Sequence, residues 1–121
     1  MKMPSRIPLF DGEDYAFWSI RMKIYLMSIG LEVCTIVEKG YDVPKVTPIE
    51  AEDKKKFWEH AEALNTLQAG LEKKVLTKVL TYKNAKLLWD KLETIYARYS
   101  KVKREKLQNF KSQFEGLKMK D

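Results

Sequence analysis

Residues 10–26 read FDGEDYAFWSIRMKIYL, and the spacing of their large apolar side chains decides the fold. They recur every three or four residues, which is the period of a helix and not the alternation of a strand. At about 100° per residue, Tyr15, Trp18, Met22, Leu26 and Ile29 gather on one side. Phe17, Ile20, Ile24 and Met27 gather on nearly the opposite side. Ser19, Lys23 and Gly30 fill one gap between these stripes, and Arg21 and Ser28 fill the other. A helix with two apolar stripes needs two partners. One stripe can enter a core. The other is covered by further helices of the same domain or serves as an assembly surface.

Working outward, Asp11 and Gly12 can cap or turn into this helix, which is expected over about 13–29 and stops at Gly30. LEVCTIVEKG predicts a short helix ending near Gly40, and YDVPKVTP a loop punctuated by Pro44 and Pro48. In TPIE, Thr47 can cap, Pro48 suits the first helical position and Glu50 completes a capping box. A helix is expected from about 48 to 69, with Phe57, Ala61, Leu64, Leu67 and Leu71 inward and Gly70 breaking it. LEKKVLTKVL predicts a shorter helix burying Val75, Leu76, Val79 and Leu80. Asn84 can cap a helix over about 85–99, with Leu88, Leu92, Ile95 and Tyr99 inward and Trp89 and Tyr96 beside them. Ser100 can cap a last helix over about 101–119, where Leu107, Phe110, Phe114 and Leu117 form a heptad-like seam. No strand and no internal repeat is evident. The expectation is an all-α, compact bundle of five to six helices in a single domain over 1–121, with Trp18 and Trp89 largely buried.

The composition agrees. The chain has 121 residues, 45% of them hydrophobic and 33% charged, a globular rather than a disordered balance. Only 5 Gly and 4 Pro leave little for long loops. No stretch approaches the roughly 20 apolar residues of a membrane span. The opening MKMPSRIPLF lacks the apolar centre of a signal peptide. With Cys34 as its one cysteine, the chain has no internal disulfide framework and no Cys-based zinc site. These points predict an intracellular protein, cytoplasmic in the first place and nuclear in the second. The net charge of +6 is unevenly placed. From Arg98 onward eight cations face three anions, a net of +5, and residues 1–97 carry +1.

Catalytic chemistry finds no foothold. His60 is the one histidine, in the middle of a predicted helix, so it cannot pair with another for a metal or a proton relay; a solvated or edge-packed position is expected. No nucleophile motif and no Gly-rich phosphate loop is present. Glu50, Glu52 and Asp53 lie together, but a helix start attracts acids anyway. Cys34 reads as a small buried hydrophobe. No catalytic residue, cofactor, metal or small-molecule substrate is therefore expected. RYSKVKREKLQNFK offers cations to a phosphate backbone at Lys101, Lys103, Arg104, Lys106 and Lys111. Phe110 belongs to the seam, so it is not expected to stack on bases. The same cations also suit a solvated face, and any RNA binding should be weak and non-specific.

These blocks resemble a known family. PLFDGEDYAFWSIRMKIYL resembles the start of the Gag polypeptide of copia-type LTR retrotransposons, which are abundant in plants. The family pattern Phe-x-Gly-x-x-Tyr-x-x-Trp-x-x-x-Met-x-x-x-Leu is matched at Phe10, Gly12, Tyr15, Trp18, Met22 and Leu26. IVEKGY and AEALNTLQAGL look like its next blocks. NAKLLWDKLETIYA resembles the block written Thr-Ala-Lys-Glu-x-Trp-Asp-x-Leu, matched at Ala85, Lys86, Trp89, Asp90 and Leu92, with Tyr96 following; Leu87 stands where Glu is common. The resemblance implies a structural protein with the fold of a capsid lobe, associating with itself into a shell around element RNA. It also implies a second helical region, toward which 101–121 would be a linker, and a Cys-x2-Cys-x4-His-x4-Cys knuckle that this chain lacks. The expectation is thus an N-terminal lobe alone or a shortened, domesticated Gag. A Gag-derived adaptor holding a peptide or host protein, and an RNA-binding module, are the alternatives. On the resemblance, the stripe carrying Tyr15, Trp18, Met22 and Leu26 defines the fold. That leaves Phe17, Ile20, Ile24 and Met27, together with Phe110 and Phe114, as candidate contacts between chains, including a domain-swapped dimer.

Overall fold

Residues 6–97 are described by the computed structural model, and the first of them form an extended strap instead of a helix. Phe10 ties the strap down. Its N–H donates to the Gly70 carbonyl (2.8 Å) and its carbonyl accepts from Glu72 N–H (3.0 Å). This makes one isolated parallel bridge to Leu71. The chain then turns at Gly12, whose φ of 99° favours a residue without a Cβ. Asp11 Oδ1 accepts from Glu13 N–H (3.0 Å) within that turn. The cap expected of Asp11 is made by Asp14, whose carboxylate accepts from Phe17 N–H at 3.4 Å.

Five α-helices follow among the described residues: α1 Tyr15–Ile29, α2 Leu31–Lys39, α3 Ala51–Ala69, α4 Lys73–Val79 and α5 Ala85–Leu92. A π-helical turn, Glu93–Ala97, continues α5. Gly30 and Gly40 end α1 and α2, as their positions in the sequence predict. Asn84 caps α5 as expected, its side-chain oxygen accepting from Lys86 and Leu87 N–H at 3.0 and 3.3 Å. The Asn84 amide also donates to the Tyr41 carbonyl (2.8 Å), which fastens the α2–α3 loop to α5. α2 packs against α1, α3 and α5 and is the hub of the bundle. Its inner face buries Val33, Cys34, Ile36 and Val37. The fold is all-α, as the periodicity predicts.

Several local expectations are corrected. The helix expected from 48 begins at Ala51, with Glu50 in extended conformation as its N-cap and no side-chain capping bond. Thr47 and Pro48 stay in the loop, and Glu52 and Asp53 in the first turn meet the positive end of the helix dipole instead. The buried face of α3 is His60, Ala63, Thr66 and Leu67, continuing to Gly70 and Leu71. It is rotated from the expected stripe, so Phe57, Ala61 and Leu64 are only half-buried. The small side chains of Ala63 and Gly70 suit a closely packed face. Leu80, expected inside, is exposed, while Val75 and Val79 are buried. Trp89 is half-buried and not largely buried; Leu88 and Leu92 hold the inner face of α5. Thr94 Oγ1 donates to the Asp90 carbonyl (3.0 Å) where the helix widens into its π turn. Tyr96 is buried by that turn and Ile95 only partly so. Tyr99 and the whole segment 98–121, with Lys101, Lys103, Arg104, Lys106, Phe110 and Phe114, lie outside the described residues.

Candidate assembly surface

An aromatic nest sets the orientation of α1. Phe10 stacks on Trp18 with ring centroids 5.0 Å apart, and meets Tyr15 at 5.7 Å and Tyr96 at 4.9 Å edge-on. Trp18 reaches Trp89 on α5 at 5.7 Å, and its indole N–H donates to the Pro8 carbonyl (3.1 Å). Met22 and Leu26, one and two turns on, are fully buried. With one side of α1 fixed inward by these contacts, helical geometry turns the other side outward.

That outer side carries Phe17 at 64% exposure, Ile20 at 61%, Ile24 at 49% and Met27 at 44%. The 3-4-3 spacing makes a straight apolar ridge nearly three turns long, at about 3.6 residues per turn. Leu31, the first residue of α2, is exposed beyond its end. Arg21 and Lys23 flank the ridge. Lys23 Nζ lies 2.9 Å from Glu38 Oε2 on α2, which raises the lysine's pKa and keeps it charged. The ridge therefore has polar rims beside an apolar centre, the anatomy of a protein interface.

Burial holds Cys34 and Tyr15 neutral. The Cys34 thiol is pushed up by desolvation. The Tyr15 phenol is pushed up by desolvation first and by the charges of Glu93 and Asp90 second. His60 departs from expectation, being 3% exposed and neither solvated nor at an edge. Its Nε2 accepts from Ala85 N–H at 3.0 Å, so its place is a structural one. Among the described residues no three His, Cys, Asp or Glu side chains are grouped to hold a metal. No described helix is long and apolar enough to cross a membrane.

Residues 22–121 match the family described as gag-polypeptide of LTR copia-type. The chain belongs to that family. No curated protein and no solved structure matches it. Membership gives this Gag chain a structural role. Of the motif residues, Met22, Leu26, Ala85, Lys86, Trp89, Asp90, Leu92 and Tyr96 lie inside the matched stretch, and Phe10, Gly12, Tyr15 and Trp18 lie upstream of it. Phe10, Tyr15, Trp18, Trp89 and Tyr96 meet in the nest, and Met22, Leu26 and Leu92 are buried in the same core. Sequence reasoning passed over Val46, Ile49 and Trp58, which are exposed. Their one signal was apolar character off any helical stripe.

Proposed function

We propose that this Gag chain is a non-enzymatic shell protein that associates with itself through the outer ridge of α1. The observation that supports this reading is the exposure of Phe17, Ile20, Ile24 and Met27 together on one helix face. The motif residues turned inward account for the fold without them. Covering the ridge with a second chain removes apolar surface from water at roughly 25 cal/mol per Å². The basic segment from Arg98 supplies a weak, sequence-blind attraction for the RNA that such a shell encloses. Cytoplasmic particles are the setting that fits this role.

Replacing Ile20 and Ile24 together by Ser is the test. A helical, soluble protein with an unchanged thermal midpoint and a smaller weight-average mass by analytical ultracentrifugation is expected. A wild-type chain that stays monomeric at every concentration would sink the proposal. So would a double variant that assembles like the wild type.

A second test concerns RNA. Neutralising Lys101, Lys103, Arg104 and Lys106 together removes up to four phosphate contacts. The slope of log affinity against log salt should then flatten by up to roughly 3 for single-stranded RNA. Binding that keeps its affinity and its slope in this variant points to another site.

A further inference from the structure

We infer that His60 is an acid-sensitive latch that joins α3, the start of α5 and the α2–α3 loop. Three contacts converge on it. Its Nε2 accepts the Ala85 N–H (3.0 Å), and Ala85 is the first residue of α5. Its ring lies against Tyr41, centroids 5.3 Å apart. Tyr41 in turn gives its carbonyl to the amide of Asn84, the residue that caps α5. The first three N–H groups of α5 are thus satisfied by two side chains. Asn84 takes Lys86 and Leu87, and His60 takes Ala85.

An acceptor at Nε2 requires the neutral ring with its proton on Nδ1. Protonation turns Nε2 into a donor facing another donor, at a helix N-terminus where the peptide dipoles already place positive charge. No acid offsets this. Burial alone lowers the affinity of His60 for a proton. From the loop it meets Tyr41, whose phenol is kept neutral by burial first and by the charge of Asp53 on α3 second; Asp53 and the neighbouring Asp42 are both exposed. The charged residue after Ala85 is Lys86, which pairs with Asp90. On α3 itself Glu59 pairs with Lys55 at 3.2 Å. Of the other elements packed on α3, α2 buries Val33, Ile36, Val37 and the neutral thiol of Cys34, and α1 buries Tyr15, Trp18, Met22 and Leu26. Protonation therefore requires the latch to open.

The sign follows from linkage. Opened, His60 titrates near 6.5; closed, it titrates lower. The latch holds fully above about pH 6.5 and is lost as pH falls from there toward the closed-state value. With the open-state value of 6.5, linkage bounds the gain in opening between pH 7.5 and pH 5 at about 30-fold. Carboxylates titrate mostly below this window.

The test is amide hydrogen exchange resolved by residue on the full chain, alongside the imidazole resonances of its single histidine. Protection factors at Ala85, Lys86 and Leu87 should fall together from pH 7.5 to pH 5, by at most about thirtyfold, while those of Met22 and Leu26 in α1 change little. In His60→Gln, which keeps an acceptor and cannot titrate, protection at Ala85 should not vary with pH. An imidazole that titrates near 6.5 with Ala85 protection unchanged overturns the inference. A parallel fall at Met22 and Leu26 overturns it too, since that is global unfolding. If the glutamine variant does not fold, the wild-type titration decides.

Discussion

Trp18→Ala is expected to lower the thermal midpoint by about 10–20 °C, from a cost of ~3–5 kcal/mol for emptying a large aromatic site in a packed core. Trp18 is 3% exposed and touches four other rings or groups that cannot follow it. Its ring stacks on Phe10 and lies beside Tyr15 and Trp89. Its N–H occupies the Pro8 carbonyl. Removing the indole opens a cavity between the strap, α1 and α5 and frees that carbonyl inside it. The adjacent residue is the control. Phe17 is larger than most core side chains yet 64% exposed, and Phe17→Ala should cost no more than about 0.5 kcal/mol, a midpoint shift of about 2–3 °C. Thermal melts of both variants at one protein concentration make the comparison. Equal shifts for the two would mean that α1 is not oriented as described.

The contrast between Trp18 and Phe17 shows how much the sequence could reveal. Both stripes of α1 are visible in its periodicity. Nothing in the periodicity says which is covered, because Ile20 and Ile24 are as apolar as Met22 and Leu26. The deciding contacts come from residues distant in sequence, Trp89 and Tyr96. Chain punctuation was more legible. Gly30, Gly40 and Asn84 act through their own backbone or their next few residues, and each ends or starts a helix where expected. TPIE failed although its signal is also local. Thr47 and Pro48 belong to a loop whose path is set by its attachment at Tyr41, and the helix waits until Ala51.

α3 departs from its hydrophobic periodicity for a different reason. Its inner face follows His60, Ala63 and Thr66, and a hydrophobic stripe is blind to a histidine whose value lies in one acceptor atom. The assembly ridge was legible as a stripe, and its exposure needed the whole bundle. The candidate seam at Phe110 and Phe114 and the basic cluster keep only their sequence support.

Gly70→Ala is expected to destabilise the protein by about 3 kcal/mol, although the backbone there suits any residue. Its φ of −87° and ψ of 9° are ordinary, so the usual entropic effect of replacing glycine is a gain of ~0.4–1 kcal/mol. Space reverses the sign. A Cβ at Gly70 overlaps Met22 Cε and falls 2.8 Å from the Pro8 carbonyl oxygen and 3.2 Å from Ile7 Cγ2. The Met22 methyl ends a flexible chain but is fully buried, with no free volume to enter. The Pro8 oxygen is backbone, and it is held by the Trp18 indole. The strap must therefore lift, which strains the pair of bonds joining Phe10 to Gly70 and Glu72. Overpacking costs ~1–3 kcal/mol, and each lost hydrogen bond adds about 1. Exchange protection at the Phe10 amide should drop with the melting temperature, because that amide donates to Gly70 itself. A variant that melts at or above the wild type, with Phe10 still protected, would mean that the strap does not lie over Gly70. The nest would then lose its attachment to the turn between α3 and α4.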